Sequence, residues 1–184
     1  MSPPGPKTAA VAAASAGAQP STASSDEPAV VSPDEVSPDE ASARGWVIDA
    51  SVTLPWFFPD EATAFTERVL DALADQAIWA PTLWVLECTN VLQSAERRRR
   101  IDARRRAEIA SELADLPVRL DPAAPGFVAL DRLAATHGLS AYDAAYLELA
   151  LRRSLVLVSL DERLLAAAKA LGHPVLSAVP GVGH

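Results

Sequence analysis

Two acidic residues stand directly after short apolar runs that are typical of buried strands. Asp49 follows the run 46–48, and Asp161 follows the run 155–160. Ligands of open α/β sheets bind beyond the carboxyl ends of the strands, so both carboxylates are predicted to lie at that edge. The alternative for each is structural, because Asp is also a favoured residue at the N-cap of a helix.

A third acid, Glu87, interrupts the stretch 83–92, which is apolar on nearly every side of a predicted helix. Burying a carboxylate without a partner costs several kcal/mol, so Glu87 needs a cation, a strong donor or a proton. Asn90 lies three residues further on and therefore on the same helix face. We predict that the pair faces a metal or a phosphate, unless Glu87 occupies an exposed stripe of the helix.

The fourth acid, Asp143, follows Ser140 at the spacing of a helix capping box. This arrangement holds a carboxylate at a helix N-terminus and is compatible with a second role at a metal site. Two hydroxyl residues, Ser51 and Ser159, lie within two residues of the strand-end acids. We predict that they orient a water molecule or a phosphate oxygen, although a role in a turn is commoner for such residues.

Four carboxylates that meet at one edge would repel one another and raise their own pKa values, unless divalent cations neutralise them. Mg²⁺ and Mn²⁺ prefer carboxylate and water oxygens, and the single Cys and three scattered His of the chain argue against zinc. Such cations lower the pKa of an attacking water and neutralise a leaving oxygen in phosphodiester hydrolysis. Neither a Ser-His-Asp set nor a glycine-rich phosphate loop is recognisable.

Short apolar runs alternate with amphipathic stretches along the rest of the chain. Strands are predicted at 46–48, 78–80, 118–120, 155–158 and 175–176, and helices at 60–75, 81–97, 102–115, 126–136, 140–153 and 161–171. Pro81 fits the first turn of its helix. This alternation predicts an α/β fold, a three-layer α/β/α sandwich with a mainly parallel central sheet. The aromatic run 56–58 suits either the core or an interface between subunits.

The composition changes near residue 45. Residues 1–45 are rich in Ala, Ser and Pro and carry an excess of acidic residues, so this segment is predicted to be disordered. We expect residues 46–180 to form the globular domain and residues 181–184 to form a short tail. A net charge of -8 excludes a generally basic nucleic-acid binder, and the absence of a long apolar run predicts no membrane span. The single cysteine, Cys88, is compatible with a reducing, cytoplasmic location.

Seven arginines lie within residues 97–106. Guanidinium groups suit bidentate contacts with phosphates, so the cluster could grip an RNA backbone. It could equally form a solvated junction between helices, or pair with acidic residues of a partner protein. The sequence alone favours none of these three interpretations.

The segments 47–51 (Val-Ile-Asp-Ala-Ser), 87–90 (Glu-Cys-Thr-Asn), 140–146 (Ser-Ala-Tyr-Asp-Ala-Ala-Tyr) and 158–164 (Val-Ser-Leu-Asp-Glu-Arg-Leu) together resemble the PIN-domain nucleases. Within that family they most resemble VapC-type toxins of bacterial toxin–antitoxin pairs. Each motif alone is weak, but the four occur in the expected order and spacing. The Ala/Ser/Pro-rich N-terminal segment departs from the compact members of the family.

This resemblance implies a Mg²⁺- or Mn²⁺-dependent endoribonuclease that forms homodimers and is silenced by a cognate antitoxin. It implies metal-site acids at Asp49, Glu87, Asp143 and Asp161, with Ser51, Asn90 and Ser159 as supporting polar groups. Because the acids carry uncompensated charge, we expect an antitoxin to deliver an Arg or a Lys toward them.

Two other classes of protein fit parts of the same pattern. A non-catalytic RNA-processing or RNA-binding regulatory module could use the same fold, although all four acids are present. A phospho-acceptor receiver domain also clusters acids at strand ends, but it needs a lysine near the phosphoryl group. The only lysine of residues 46–180, Lys169, lies inside the last predicted helix.

Overall fold

The computed structural model describes residues 45–178. Residues 1–44, which make up nearly all of the predicted disordered segment, and the predicted tail 181–184 lie outside the described residues. Within residues 45–178, every helix is too short or too polar to span a bilayer.

The centre of the domain is a parallel sheet of five strands. The strands are β1 (Trp46–Ile48), β2 (Ile78–Pro81), β3 (Val118–Asp121), β4 (Val156–Val158) and β5 (Val175–Leu176). They lie in the order β3-β2-β1-β4-β5, and every neighbouring pair is parallel. Because β1 is central, the residue that follows it lies in the middle of the carboxyl edge.

Seven α-helices of the described range surround this sheet. They are α1 (Ala50–Thr53), α2 (Ala64–Asp71), α3 (Leu83–Arg97), α4 (Ala103–Ala114), α5 (Phe127–His137), α6 (Ala141–Arg153) and α7 (Glu162–Ala170). Short 3₁₀ helices occupy Leu54–Phe57 and Ala72–Ala74. The predicted three-layer α/β/α architecture is confirmed.

Alternation of side chains along the strands creates two apolar layers. Val47 of β1 belongs to a core shared with α3, α4, α6 and α7, whereas Trp46 and Ile48 join a second core with α2. Both faces of the sheet are therefore covered, as the continuous apolar runs of the strands predicted.

Two local expectations were wrong. Pro81 ends strand β2 instead of entering the first turn of α3, which begins at Leu83. The predicted helix 60–75 is shorter, and the segment before it forms α1 and a 3₁₀ turn. The aromatic run 56–58 belongs to the core: Phe58 is buried, and Trp56 donates a hydrogen bond from its ring nitrogen to the carbonyl oxygen of Thr66 at 2.8 Å.

Helix α3 ends in a Schellman turn in which Arg99 adopts the left-handed conformation, with φ 57°. The backbone N–H of Arg99 donates to the Glu96 carbonyl at 2.8 Å, and that of Arg100 donates to the Ala95 carbonyl at 2.9 Å. This position usually holds glycine, because a Cβ is strained at positive φ.

Replacing Arg99 with glycine is expected to raise the free energy of unfolding by roughly 0.5–1 kcal/mol, since the left-handed strain disappears while glycine adds some chain entropy. Urea denaturation measures the change. Arg98→Gly is the matched control, because Arg98 has φ -81° and the substitution removes the same charge. Equal effects of the two substitutions would contradict this explanation.

Candidate active site

The register between β1 and β4 brings the first acid and one of the serines together. Ile48 pairs with Val158, so the next residues along the two strands, Asp49 and Ser159, leave the sheet side by side. The Ser159 hydroxyl donates to Asp49 Oδ2 at 2.6 Å. The Ser51 hydroxyl donates to the same oxygen at 2.7 Å, and the Ser51 backbone N–H reaches Oδ1 at 3.3 Å.

Both serines also hold the chain that leaves β4. The Ser51 hydroxyl oxygen accepts from the backbone N–H of Leu160 at 3.0 Å, and the Ser159 hydroxyl oxygen accepts from that of Asp161 at 2.9 Å. The serines therefore connect the ends of two neighbouring strands around Asp49. The turn role is thus seen for both serines, together with hydrogen bonds to Asp49, whereas the orientation of a water molecule or a phosphate oxygen stays a prediction.

Asp49 is an acid in an unfavourable electrostatic environment. Its side chain is buried, and this burial raises the pKa of its carboxyl group, while the hydrogen bonds from the two serines work in the opposite direction. The negative charge of Asp143 raises the pKa further. A charge that lacks a cationic partner among the described residues is thus concentrated at the centre of the carboxyl edge.

Glu87 lies on α3 and is half-buried. Burial raises its pKa, and the charges of Asp49 and Asp143 add to that increase. The hydroxyl of Tyr146, on α6, donates a hydrogen bond to Glu87 Oε2 and partly offsets the effect. The charges of Asp49 and Asp143 therefore both act on Glu87.

Asp143 forms the predicted capping box at the start of α6. Its Oδ2 accepts from the Ser140 hydroxyl at 2.7 Å, and its backbone N–H donates to that hydroxyl oxygen at 3.1 Å. The capping prediction is confirmed. The capping box fixes the carboxylate at the helix N-terminus, close enough for its charge to affect two other acids.

Asp161 is the N-cap of α7, where its Oδ1 accepts from the Leu164 backbone N–H at 2.8 Å. Its connection to the other acids runs through Ser159. Asn90 is exposed on α3 and lines a cleft of about 350 Å³ together with Arg98 and Arg100. The structure therefore joins Asp49 to two serines, exposes Asp49 and Glu87 to the charge of Asp143, links Asp161 to Asp49 through Ser159, and places Asn90 in a cleft that none of these residues lines.

The chemistry of these donors suits a hard divalent cation, since all four predicted ligands are carboxylates. Within residues 45–178, however, no group of three or more His, Cys, Asp or Glu side chains is arranged to hold a metal ion. Each of the three acids that lie together accepts a hydrogen bond from a hydroxyl group of the protein in this conformation.

The PIN domain family model matches residues 46–170. The chain belongs to the PIN domain family. PIN domains are in general nucleases that typically use divalent metal ions. The match spans all four acids and all three supporting polar residues predicted from the sequence.

Solved structures share the fold of this PIN domain. The crystal structure of PAE2754 from Pyrobaculum aerophilum is 23% identical in sequence, with a TM-score of 0.55 over 74% of this chain and 91% of that chain. FitAcB from Neisseria gonorrhoeae is 16% identical, with a TM-score of 0.54 over 71% of this chain and 96% of that one. No curated protein sequence matches the chain.

The arginine cluster of this PIN domain is largely neutralised within the described residues. Four of its seven arginines form ion pairs: Arg100 with Asp60 and Glu61, Arg104 with Glu108, Arg105 with Glu108 and Glu112, and Arg106 with Glu96. Arg100 also lies over the ring of Phe58, 4.2 Å from its centroid. The solvated-junction interpretation accounts for these four, and it leaves Arg97, Arg98 and Arg99 without a carboxylate partner in the described part of the chain.

A fifth acid at the carboxyl edge has a different environment. Asp121 ends β3 and is 2% exposed. Burial would raise the pKa of its carboxyl group, but a hydrogen bond from Arg153 and the charge of Arg152 hold that pKa below its usual value. Arg153 in turn lies over the Trp79 ring, 3.8 Å from its centroid. Asp121 is thus a neutralised, structural acid, whereas Asp49 is not.

Proposed function

We propose that this PIN domain is a Mg²⁺- or Mn²⁺-dependent endoribonuclease and the VapC-type toxin of a toxin–antitoxin pair. The proposal is carried by one observation: the charge of Asp143 acts on Asp49, the charges of both act on Glu87, and none of the ion pairs of the described residues neutralises these acids. An uncompensated acidic cluster at the carboxyl edge of a sheet has the donor chemistry and the charge that a hard cation requires.

In this proposal the cation is held by Asp49, Glu87, Asp143 and Asp161. When bound, it supplies Lewis acidity that lowers the pKa of an attacking water and balances charge on the leaving oxygen of the RNA. Ser51 and Ser159 keep the Asp49 carboxylate oriented toward the edge through the hydrogen bonds described above. The supporting role of Asn90 remains a prediction.

The exposed arginines 97–99, which have no carboxylate partner in the described range, are the part of the cluster that can contact RNA phosphates, although Arg97 also donates to the Ser94 hydroxyl at 2.8 Å. Phosphate contacts of this type supply affinity without sequence preference, so they would position the strand near α3. Because the other four arginines are engaged with carboxylates of the same chain, we propose a modest electrostatic contribution from this region. The nuclease domain in this proposal comprises residues 46–180.

Asp143→Asn is expected to lower metal-dependent RNA cleavage by about 100-fold or more, since even outer-shell changes at metal sites cost about 10–100-fold. The asparagine can still accept the hydrogen bond of the Ser140 hydroxyl, so helix α6 remains capped. Cleavage of a labelled RNA pool is measured with Mg²⁺, Mn²⁺ or a chelator. The matched control is Asp131→Asn, at an exposed position of α5, which should cleave like the parent protein.

Cleavage that survives in the Asp143→Asn protein, or that proceeds unchanged with chelator, would refute the proposed chemistry. The alternative is a non-toxin PIN-fold RNA-processing or RNA-binding module. It is favoured by the lack of a preassembled ligand set in residues 45–178. RNA binding in Mn²⁺ without any turnover would identify that module.

A toxin also requires partners, and we propose a cognate antitoxin protein and a homodimer. The antitoxin delivers an Arg or a Lys toward Asp49, Glu87 and Asp143, because a cationic group stabilises these charges and competes with the metal. Induced expression of the parent protein should then arrest growth of a host cell, whereas Asp143→Asn should not. Absence of arrest with an active nuclease would separate a free-standing ribonuclease from a toxin.

A further inference from the structure

The second tyrosine of the segment 140–146 connects the acidic cluster to the core. Tyr146 is 1% exposed and packs among the buried residues of the larger core. Its hydroxyl donates to Glu87 Oε2 and thereby joins α6 to α3. Buried hydroxyl groups need a partner, and here the partner is one of the proposed ligands of the cation.

Glu87 depends on this hydroxyl more than Asp49 depends on either serine. Asp49 receives three hydrogen bonds from Ser51 and Ser159. Within the described residues, the Glu87 carboxylate receives one, from Tyr146, and Oε1 accepts none. A glutamate side chain has more rotatable bonds than an aspartate, so a single fixed donor has a large influence on where its carboxylate lies.

The donor is also neutral, which distinguishes it from an arginine or a lysine. A cationic donor at this place would neutralise Glu87, as the arginines do for Asp121. A hydroxyl orients one carboxylate oxygen and leaves the charge available for an ion.

We propose that Tyr146 is the positioning residue for Glu87 and that its hydroxyl keeps the carboxylate at the acidic cluster, where Glu87 would help to hold the divalent cation. The inference rests on the proposed function, because it takes Glu87 as a ligand. The distinction from a purely structural tyrosine is that its effect on metal binding runs through Glu87.

A double-mutant cycle with Mn²⁺ alone as the probe tests this inference. Mn²⁺ affinity is measured by calorimetric titration of the full chain for the parent protein, Tyr146→Phe, Glu87→Gln and the combined variant. Tyr146→Phe should weaken binding about 10-fold, the size typical of outer-shell partners of metal ligands. In the Glu87→Gln background the same substitution should change the affinity less than about twofold, since the group through which it acts is gone.

The chain offers a matched control one turn earlier in α6. Tyr142 is 65% exposed, and its side chain makes no hydrogen bond with any residue of the range 45–178. Tyr142→Phe removes the same hydroxyl from the same helix and should leave Mn²⁺ affinity unchanged. Equal losses for Tyr146→Phe in both backgrounds, or no loss in the parent background, would overturn the positioning role.

Glu87→Asp provides a test that does not require the Tyr146→Phe protein to fold. It keeps the charge but withdraws the carboxylate from the hydroxyl by one methylene, so affinity should fall about 10-fold, as expected for a lost outer-shell bond. Parent-like affinity of Glu87→Asp would count against the inference. If Glu87→Gln itself binds Mn²⁺ as the parent does, the proposed metal site is wrong and the inference falls with it; if only Tyr146→Phe is without effect, the inference alone fails.

Discussion

Asp49→Asn is expected to abolish most RNA cleavage and, at the same time, to stabilise the metal-free protein. Cleavage should fall by about 100-fold or more, because a proposed cation ligand is lost. The free energy of unfolding should rise by about 1 kcal/mol, since the substitution removes a charge that burial and the neighbouring Asp143 destabilise. Asparagine retains an oxygen that can accept from Ser51 or Ser159, so the connection between the two strand ends remains.

The increase in the free energy of unfolding that is expected for Asp49→Asn depends on pH, and the direction of that dependence follows from the pKa of Asp49. The pKa of Asp49 in the folded protein is raised above its ordinary value of 3.8, so the folded state binds the proton more readily than the unfolded state. The destabilisation that the charged Asp49 causes in the parent protein is complete above the raised pKa. It disappears as the pH falls toward 3.8. The stability difference between Asp49→Asn and the parent should therefore shrink on acidification.

Urea denaturation in chelator, at neutral and at mildly acidic pH, measures both quantities. Asp131→Asn is again the control, because it removes an exposed charge. Its free energy of unfolding should differ little from that of the parent, and this difference should not shrink on acidification. A clear loss of stability in Asp49→Asn at neutral pH would mean that the hydrogen bonds from the serines outweigh the cost of the buried charge. An acid retained against stability is what a functional site predicts, and this measurement tests it without any substrate.

The sequence allowed the fold to be predicted because its local signals agree with one another. The runs 46–48 and 155–158 are continuous and apolar, and the interior strands β1 and β4 are buried on both faces as such runs require. The predicted end of the helix 126–136 also agrees with the structure, where Gly138 caps helix α5 with φ 63°, a conformation that glycine adopts without strain. The prediction for Pro81 was wrong because a proline can also stand at the last residue of a strand. Whether Pro81 belongs to the strand or to the helix is decided by its pairing with Asp121 of β3, which the local sequence does not show.

The site was predictable to the extent that it follows from strand ends and helix caps. Asp49 and Ser159 could be placed at the carboxyl edge because position in an α/β fold determines which edge a strand-end residue occupies, and Asp143 could be placed at a helix N-terminus from its capping-box spacing. Tyr146 was missed, since nothing in a local pattern shows that its hydroxyl meets Glu87, 59 positions away in the chain. Only the packing of α6 against α3 creates that contact.

For the arginine cluster, the local sequence suggests a larger basic surface than the fold leaves available. Seven cations within ten residues suggest a phosphate surface, yet the acids that neutralise Arg100 lie 39 and 40 positions away, at Glu61 and Asp60. The ion pairs of Arg104 and Arg105 run along α4 and were visible as local spacings. Long-range pairs such as that of Arg100 determine how much of a basic patch remains available, and they depend on the tertiary fold.

Gly45→Ala is expected to destabilise the domain by at least about 3 kcal/mol, the combined effect of backbone strain and a steric clash. Gly45 precedes β1 with φ 121°, and a Cβ on it would lie 2.2 Å from the carbonyl oxygen of Ala77. That carbonyl accepts from the Trp46 backbone N–H at 2.9 Å, so the chain cannot move away without losing the first contact of β1 with its neighbour.

The same change at Gly126 is the control, because that residue has φ -63° and a Cβ there would meet nothing within 4 Å. Gly126→Ala should unfold at nearly the same urea concentration as the parent, whereas Gly45→Ala should unfold at a clearly lower one. If both variants unfold at the same urea concentration, the start of β1 accommodates a Cβ at position 45 without loss of stability. The test bears on function as well, since β1 is only three residues long and its start determines where Asp49 leaves the sheet. A displaced start would move that carboxylate away from Ser159, and with it the centre of the acidic cluster.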